Sequence, residues 1–499
     1  INIPTGKDSL SMKQKYSDGD VLAPGTVIIS AAGQCKDISN VVSPLALVNG
    51  GEIYYIDFAQ DKFHLGGSSF AQSQNCIGNE TPSVQDASYF KKAFNAVQDH
   101  ISNGKISAGH DIGSGGLITT LLELCFPSIS VGMNINFNGL EETDLVKILF
   151  SEKVGVVLQS KENLTYSFDK YGVKAIKIGE TIKQNILSIG KLQLSISSLR
   201  NTWMATSTKL ELHQTKTSLA AKRAKNVINQ PLKFNFPNKF NGKIPFQKQN
   251  TLKAAVIREK GSNSEREMAY MMDLSGFEVR DVHMTDLIEG RENLEDINLL
   301  VAVGGFSNSD VLGSAKGWAG AFKYNPKAKS AIENFFGRTD TLSLGVCNGC
   351  QLFVELGLIT PNHNRKPKML HNDSGKFECI FTAVAIEKSK AIMLNGLEGS
   401  ILGIWAAHGE GKFSFPQDES NYQIPAKYLY QNYPSNPNGS DFNAAMLSSE
   451  DGRHLVMMPH LERSIFPWNW GHYPKNHSDE ISPWIMVFEN AYNWIINKA

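Results

Sequence analysis

Nowhere does this chain of 499 residues string together the roughly 20 apolar residues that a bilayer-spanning helix needs, so no membrane role is expected. Charge of one sign is also lacking. Lys and Arg number 49 and Asp and Glu number 49, which leaves no global field to attract nucleic acid or an anionic surface. Cysteine is scarce: six residues, at 35, 76, 125, 347, 350 and 379, exclude a disulfide scaffold and suit a reducing cytoplasm. No signal peptide is expected, and an internal repeat and a low-complexity tract are lacking in these residues. The chain opens on Ile1 in what reads as mid-domain sequence, so a piece of a longer protein is expected.

What is present divides into three parts. Residues 1 to about 205 alternate strand-like stretches ("GTVIISAAG", "EIYYIDFA", "VGVVLQS") with helix-like ones ("ASYFKKAFNAVQDHI", "LITTLLELCF"). Residues 206–250 carry nine Lys or Arg against one acid, Glu211, with several prolines and asparagines. That composition predicts a solvated inter-domain linker in preference to a nucleic-acid surface. From residue 251 to 499 the pattern becomes parallel α/β. The strand "LKAAVIRE" precedes a helix over "SNSEREMAYMMDLSG", which Ser262 with Glu265, or Ser264 with Glu267, would cap and Gly276 would stop. The strands "FEVRDVHM", "NLLVAVGG" and "TLSLGV" follow. Such alternation predicts a doubly wound sheet with its ligand at the carboxyl ends of the strands.

"TLSLGV" runs into Cys347 and Cys350, two residues apart. A zinc site would need a second such pair, and none exists. A redox couple remains open. Gly345-Val346-Cys347-Asn348-Gly349 is also G-x-C-x-G between a strand and a helix, the cysteine form of a nucleophile elbow. An elbow puts sulfur at a helix N-terminus, where free N–H groups favour a thiolate. Cys347 is therefore the candidate nucleophile, and Cys350, one turn later, a buried apolar residue. Among 12 histidines, His460 stands out because Glu462 follows two residues on. In extended backbone the two would share a face, letting the carboxylate orient the imidazole. His408 in "AAHGEGK" is the rival base, with Glu410 at the same spacing. Near the start, Gly6, Lys7 and Ser9 of "TGKDS" combine a small residue, a point charge and a hydroxyl suited to phosphate, without the upstream glycine of a P-loop.

Five stretches in order, "GGFSNSDVLGSAKGWA", "LGVCNGCQ", "AAHGEGK", "YPSNPNGS" and "MMPHLERS", resemble the class I glutamine amidotransferase domain of the phosphoribosylformylglycinamidine synthase family. "IPTGKDSLSM", "KDISNVVSP", "LGGSSFAQ" and "AGHDIGSGGLITTLLELCF" resemble the second half of the same family's ATP-dependent synthase region. The resemblance implies an α/β architecture: half of an α+β synthase domain over 1–205, then a doubly wound amidotransferase domain over 251–499. It implies glutamine hydrolysis by Cys347, His460 and Glu462. Ammonia then passes to ATP-activated formylglycinamide ribonucleotide, giving the amidine in purine biosynthesis.

The resemblance also implies oxyanion donors at Gly305, Phe306 and Asn348, with His408 in the glutamine pocket or at its contact with the synthase. Asn436 and Asn438 fall in a polar loop that could lie near that pocket. Asp111 resembles a carboxylate that holds Mg2+ at a nucleotide site, and Gly113 to Gly116 would open a helix N-terminus toward phosphate. Here Gly113 and Ser114 replace the family's usual Ser and Asp, which puts an auxiliary nucleotide in doubt. Another class I amidotransferase, or a thiol- or metal-binding module, are the alternatives. The family's first synthase half does not appear in the sequence and is the expected partner, on the same or a separate chain.

Overall fold

The computed structural model describes residues 2–9, 12–22, 26–35, 37–226, 228–245, 252–474 and 476–498. It divides into two compact units, Ile1–Trp203 and Met204–Ala499.

The first unit is built on a seven-stranded sheet. Its order is Leu192–Ser195, Ile186–Ile189, Gly132–Ile135, Ala175–Ile182, Glu52–Asp57, Gly155–Ser160, Ala108–Asp111. Successive side chains of a strand point to opposite faces, and "EIYYID" uses both. Ile53 and Tyr55 join one core with Leu117, Leu121 and Met133, while Tyr54 and Ile56 join another with Ala93, Ala96 and Phe168. The helices that cover these faces are Gly116–Glu123 and Ala87–Ser102, the latter capped by Asp86 through the Ser88 and Tyr89 N–H groups. Asn2–Ser9 pairs with Thr26–Ala32 outside that sheet, and Val27, Ile28 and Ile29 are all exposed.

The second unit carries the predicted doubly wound sheet, in the order Glu278–His283, Lys253–Arg258, Leu299–Ala302, Leu342–Val346, His454–Met457, Met446–Ser448. The first five strands run parallel and the last antiparallel. Every residue of Leu299–Ala302 and of Leu342–Val346 is buried, which explains their unbroken apolar runs. A three-stranded antiparallel sheet, Ile401–His408, Glu378–Ile386 and Ala426–Tyr428, packs into the same core. Among the described residues no helix is long and apolar enough to cross a membrane.

One local expectation fails and another holds only in part. The helix Glu265–Leu274 has no capping box: Ser264 sits at its start with a φ of 65° and no side-chain cap, while Ser262 Oγ accepts from the Glu259 N–H. The sharp turn that brings Gly305 alongside Ser262 takes precedence over the cap. Gly276, with a φ of 96°, does follow the helix end. The basic segment, expected to be a solvated linker, is largely exposed but also fastened at several of its described residues. Glu211, on the helix Ile196–Gln214, accepts from Lys376 at 2.7 Å and from Arg223 at 3.3 Å, while Phe234 and Phe236 pack on Trp470. Burial opposes the Glu211 charge, but bonds from Lys376 and Thr215 outweigh it and hold the carboxyl at about 2. The asparagines that suggested solvation bond to backbone: Asn226 donates to the Tyr433 carbonyl at 2.7 Å.

Candidate active site

Leu342–Val346 ends at Cys347, whose φ of 52° and ψ of −108° lie where residues with a side chain rarely go, and Asn348–Glu355 begins at once. Such strain persists only when the surroundings impose it. Here glycines permit it. A Cβ on Gly345 would come 2.7 Å from the Gly349 carbonyl oxygen, and one on Gly349 2.0 Å from that of Ala302. The G-x-C-x-G spacing is thus a packing requirement. Cys350 lies inside the helix, fully buried, with its thiol pushed well above the ordinary range by burial and by Cys347.

His460 comes from the chain that follows His454–Met457, the strand paired in parallel with Leu342–Val346. It does not lie in a continuous strand, as the extended reading assumed. It forms an isolated bridge with Trp405, donating its N–H to the Trp405 carbonyl at 2.7 Å, and Glu462 follows in a turn. The pairing forms nonetheless: His460 Nδ1 lies 2.6 Å from Glu462 Oε1, and both side chains are buried. The carboxylate can only accept, so Nδ1 donates and Nε2 is left for the cavity. No partner holds Nε2. The sulfur of Cys347 and ring nitrogens of His460 and His408 lie within 4.8 Å of one another. Burial works against a charge on His460, but Glu462 and Cys347 outweigh it and raise the imidazole well above its ordinary value. Burial likewise opposes the Glu462 charge, and His460 overcomes it, holding the carboxyl below the usual range.

His408 is in a different state. Its Nε2 donates to the Met458 carbonyl at 2.6 Å, and its Nδ1 accepts from the Asn438 amide at 3.3 Å. Burial first, then His460, push it down to about 3, so the ring is neutral and both nitrogens are occupied. It stacks on His460 with centroids 5.6 Å apart, a brace for the base. Metal binding by Cys347, His408 and His460 would require His408 to give up its bond to Met458 or to Asn438. Asn438, completely buried, fixes the His408 ring and also bonds Asn372, whereas Asn436 shapes its own loop through the Gly439 and Ser440 N–H groups.

A cavity of 220 Å³ brings together Cys347, His460, His408, Gly305 and Phe306. Gly304 lets the loop approach: a Cβ there would come 3.0 Å from His460 Cε1 and 3.3 Å from Cys347 Cβ. The Phe306 N–H already donates to the Gly261 carbonyl at 2.9 Å, whereas the Gly305 N–H has no partner among the described residues. The Asn348 side chain clamps the loop, accepting from the Ser307 N–H and donating to Asp310. Asp310, Gln351, Glu410 and Arg463 also line the cavity. Asp310 and Glu410 stood inside the stretches "GGFSNSD" and "HGEGK", where an acid beside each glycine turn was the available signal. Burial raises the Asp310 carboxyl, and Glu410 adds to the shift.

The first unit's candidates are arranged otherwise. Asp111 ends the strand Ala108–Asp111 with 82% of its side chain exposed, and its nearest ionic partner is His110, at 3.2 Å. Gly113 is exposed. The helix Gly116–Glu123 does not offer its first N–H groups freely, because the Gly115 N–H donates to Glu152 at 2.8 Å, as does that of Ser69. A carboxylate of the chain thus takes the N–H of the residue that caps this helix. Gly6, exposed, Lys7 and Ser9 lie on Asn2–Ser9; the side chains of Lys7 and Ser9 fall outside the described residues. Among the described residues, the one group able to surround a metal is Cys347, His408 and His460.

Comparison with known proteins agrees with this division. Residues 251–495 match the family model described as the CobB/CobQ-like glutamine amidotransferase domain, and residues 59–190 match the AIR synthase related protein, C-terminal domain. A probable phosphoribosylformylglycinamidine synthase of Arabidopsis thaliana, named as chloroplastic/mitochondrial, is 40% identical over 99% of this chain and 38% of its own length. This chain is a relative of the phosphoribosylformylglycinamidine synthases. The Dictyostelium discoideum synthase is 38% identical over 98% of this chain and 41% of itself, and the Homo sapiens synthase 34% over 100% and 40%. The chain therefore spans about two fifths of the length of the synthases it matches. Of solved structures, "Structure of PurLQS from Thermotoga maritima" aligns at 25% identity and a TM-score of 0.38, covering 50% of this chain and 98% of that one.

Proposed function

We propose that this chain hydrolyses glutamine at Cys347, and that the ammonia serves ATP-dependent conversion of formylglycinamide ribonucleotide to formylglycinamidine ribonucleotide in purine biosynthesis. One observation carries the glutaminase reading: a cysteine forced onto a left-handed turn beside a buried histidine whose far nitrogen is held by a carboxylate. The Cys347 sulfur attacks the side-chain amide carbon, and His460 delivers its proton to the nitrogen as the C–N bond breaks. Ammonia leaves and a thioester remains. Water then attacks the thioester while His460 takes the water's proton, and glutamate departs as the C–S bond breaks. The Gly305 and Asn348 N–H groups face the oxyanion, each donor contributing about 2.7–4 kcal/mol in such a site. Glu462 fixes the tautomer and steadies the imidazolium.

In this reading residues 251–499 form the amidotransferase, 206–250 the connector, and 1–205 the second half of the synthase region. The names of the relatives support the synthase half. Asp111 would meet Mg2+, and Gly6, Lys7, Ser9 and Gly113 the nucleotide. The described residues there supply one exposed carboxylate and no closed ligand set, so no step through ATP or metal is derived from this chain. Completion falls to the portion of those relatives that this chain does not match. The cytoplasm is the proposed compartment, consistent with six free cysteines.

The test is direct. The purified chain should release glutamate from glutamine slowly, and a glutamine-like electrophile should add its mass at Cys347. It should make no amidine from the ribonucleotide, ATP and ammonium, and should gain that ability when the unmatched portion is added. Absence of both glutamate and labelling, with stoichiometric bound zinc, would favour the metal-binding alternative. Amidine formed by the chain alone would refute the division of labour.

A further inference from the structure

Asn348 carries more than the backbone N–H that faces the oxyanion. Its side chain is completely buried, at the first position of the helix Asn348–Glu355. The Oδ1 accepts from the Ser307 N–H at 3.2 Å, and the Nδ2 donates to Asp310 Oδ1 at 3.3 Å and to Gln351 Oε1 at 3.0 Å. Among the described residues, every hydrogen bond between residues 304–315 and this helix is made by that one side chain.

What it holds is strained. Asn308, Ser309 and Asp310 follow one another with φ of 51°, 58° and 49°. Residues with a side chain adopt that region rarely, and keep it only where the surroundings impose it. On one flank the main chain supplies the hold. The Asn263 N–H donates to the Gly304 carbonyl, the Phe306 N–H to that of Gly261, and the Asn308 N–H to that of Lys260. Those bonds tie the turn to residues 260–263 and none of them reaches Cys347. On the elbow flank the Asn348 amide meets Ser307, just before the strained stretch, and Asp310, its last residue, which also accepts from the Ala315 N–H at 3.2 Å.

The two contacts make opposite demands. Ser307 offers an N–H and needs an acceptor, whereas the Asp310 oxygen needs a donor. A side-chain amide carries both on one planar group. A carboxylate at 348 would keep the first contact and set two acids against each other at the second. Oxyanion donors work by being fixed before charge develops. The Gly305 N–H lies two residues from Ser307, so a turn free to relax would carry that donor away from the sulfur. We propose that the Asn348 side chain is a positioning group that locks the turn at 304–307 to the nucleophile's helix and so aims the Gly305 N–H at the oxyanion. This rests on the glutaminase reading given above.

Asn348→Ala keeps the backbone donor and removes the side-chain contacts. In the full chain it should lower kcat for glutamate release roughly 10²-fold and change KM less than about threefold, the pattern of an interaction made in the transition state. Asn348→Asp, close in shape and still able to accept from Ser307, should lose less, roughly tenfold. Iodoacetamide reads the nucleophile alone, because the sulfur displaces iodide and no oxyanion forms. Its rate at Cys347 should stay within about twofold of wild type in both variants. Amide exchange across residues 304–315 should quicken at least about tenfold in Asn348→Ala. Unchanged kcat, unchanged exchange, or alkylation that falls in step with glutamate release would overturn the proposal. Where the alanine variant does not fold, a wild-type kcat in Asn348→Asp would overturn it instead. A wild-type chain that releases no glutamate would overturn the glutaminase reading, and the exchange rate alone would then decide whether Asn348 holds the turn.

Discussion

His460 and Glu462 keep 2% and 0% of their side chains exposed, whereas Asp111 keeps 82%. Two candidate sites on one chain thus treat their charged groups in opposite ways. In the second unit, burial makes each charge dependent on its partner: desolvation works against both the imidazolium and the carboxylate, and only their mutual contact sustains them. A ring so held has one tautomer and one orientation. In the first unit, water rather than protein solvates Asp111, and the neighbouring Gly115 N–H is already taken by Glu152. A buried site is organised before its substrate arrives; an exposed carboxylate must be organised by whatever binds it.

The strongest test of this contrast removes the nucleophile. Cys347→Ala should lower glutamine hydrolysis by roughly 10⁴-fold or more, while Cys350→Ala, a small buried change one helical turn on, should leave most of the rate. Steady-state glutamate release decides it, and equal losses with intact folding would point to a redox or metal pair. Next come the orienting groups. His460→Ala should cost roughly 10²- to 10⁴-fold, Glu462→Gln less, and His408→Gln should act mainly on KM. If His408→Gln stopped thioester formation while His460→Ala did not, read by rapid quench, the roles of the two histidines would be exchanged.

Acid should separate the two units. His408 and His454 are held at about 3, below the ordinary histidine value. Unfolded chains bind protons at these positions below about pH 6.5 while the folded unit does not. Each ring therefore removes about 1.4 kcal/mol of stability per pH unit as pH falls from there toward 3. His460 runs the other way: its raised value adds stability that is full below about pH 6.5 and fades as pH rises through the folded value. Thermal melts between pH 4 and 7 should show the second unit losing stability, and His408→Gln should flatten the slope. The smallest effect is expected at the strap. Glu211→Gln should lower stability by about 1 kcal/mol through its bonds to Lys376 and Arg223. An unchanged melting midpoint would mean that the segment is held by its aromatic contacts alone.

Much of the second unit was legible in the sequence because its signals are local. Unbroken apolar runs marked the buried strands, two glycines around Cys347 marked the elbow, and a two-residue spacing paired His460 with Glu462. The first unit's strands were equally plain, but its candidate site rested on short phosphate-like stretches whose surroundings the sequence leaves unstated. Glu152, distant in sequence, takes the Gly115 N–H within the stretch Gly113 to Gly116.

By itself the sequence determined which residue can stand on a strained turn, since glycines at 345 and 349 allow the helix to pack closely on the strand before it and on its neighbour Leu299–Ala302. It determined the parallel α/β pattern by the same logic of burial on both faces. Only the tertiary structure decided which histidine acts. His408 and His460 are 5.6 Å apart and share one environment, yet a carbonyl 50 residues away and an asparagine 30 residues away fix the first as neutral, while Glu462 charges the second. Protonation depends on solvent exclusion and on partners brought together by packing. Neither is encoded in a short stretch of chain.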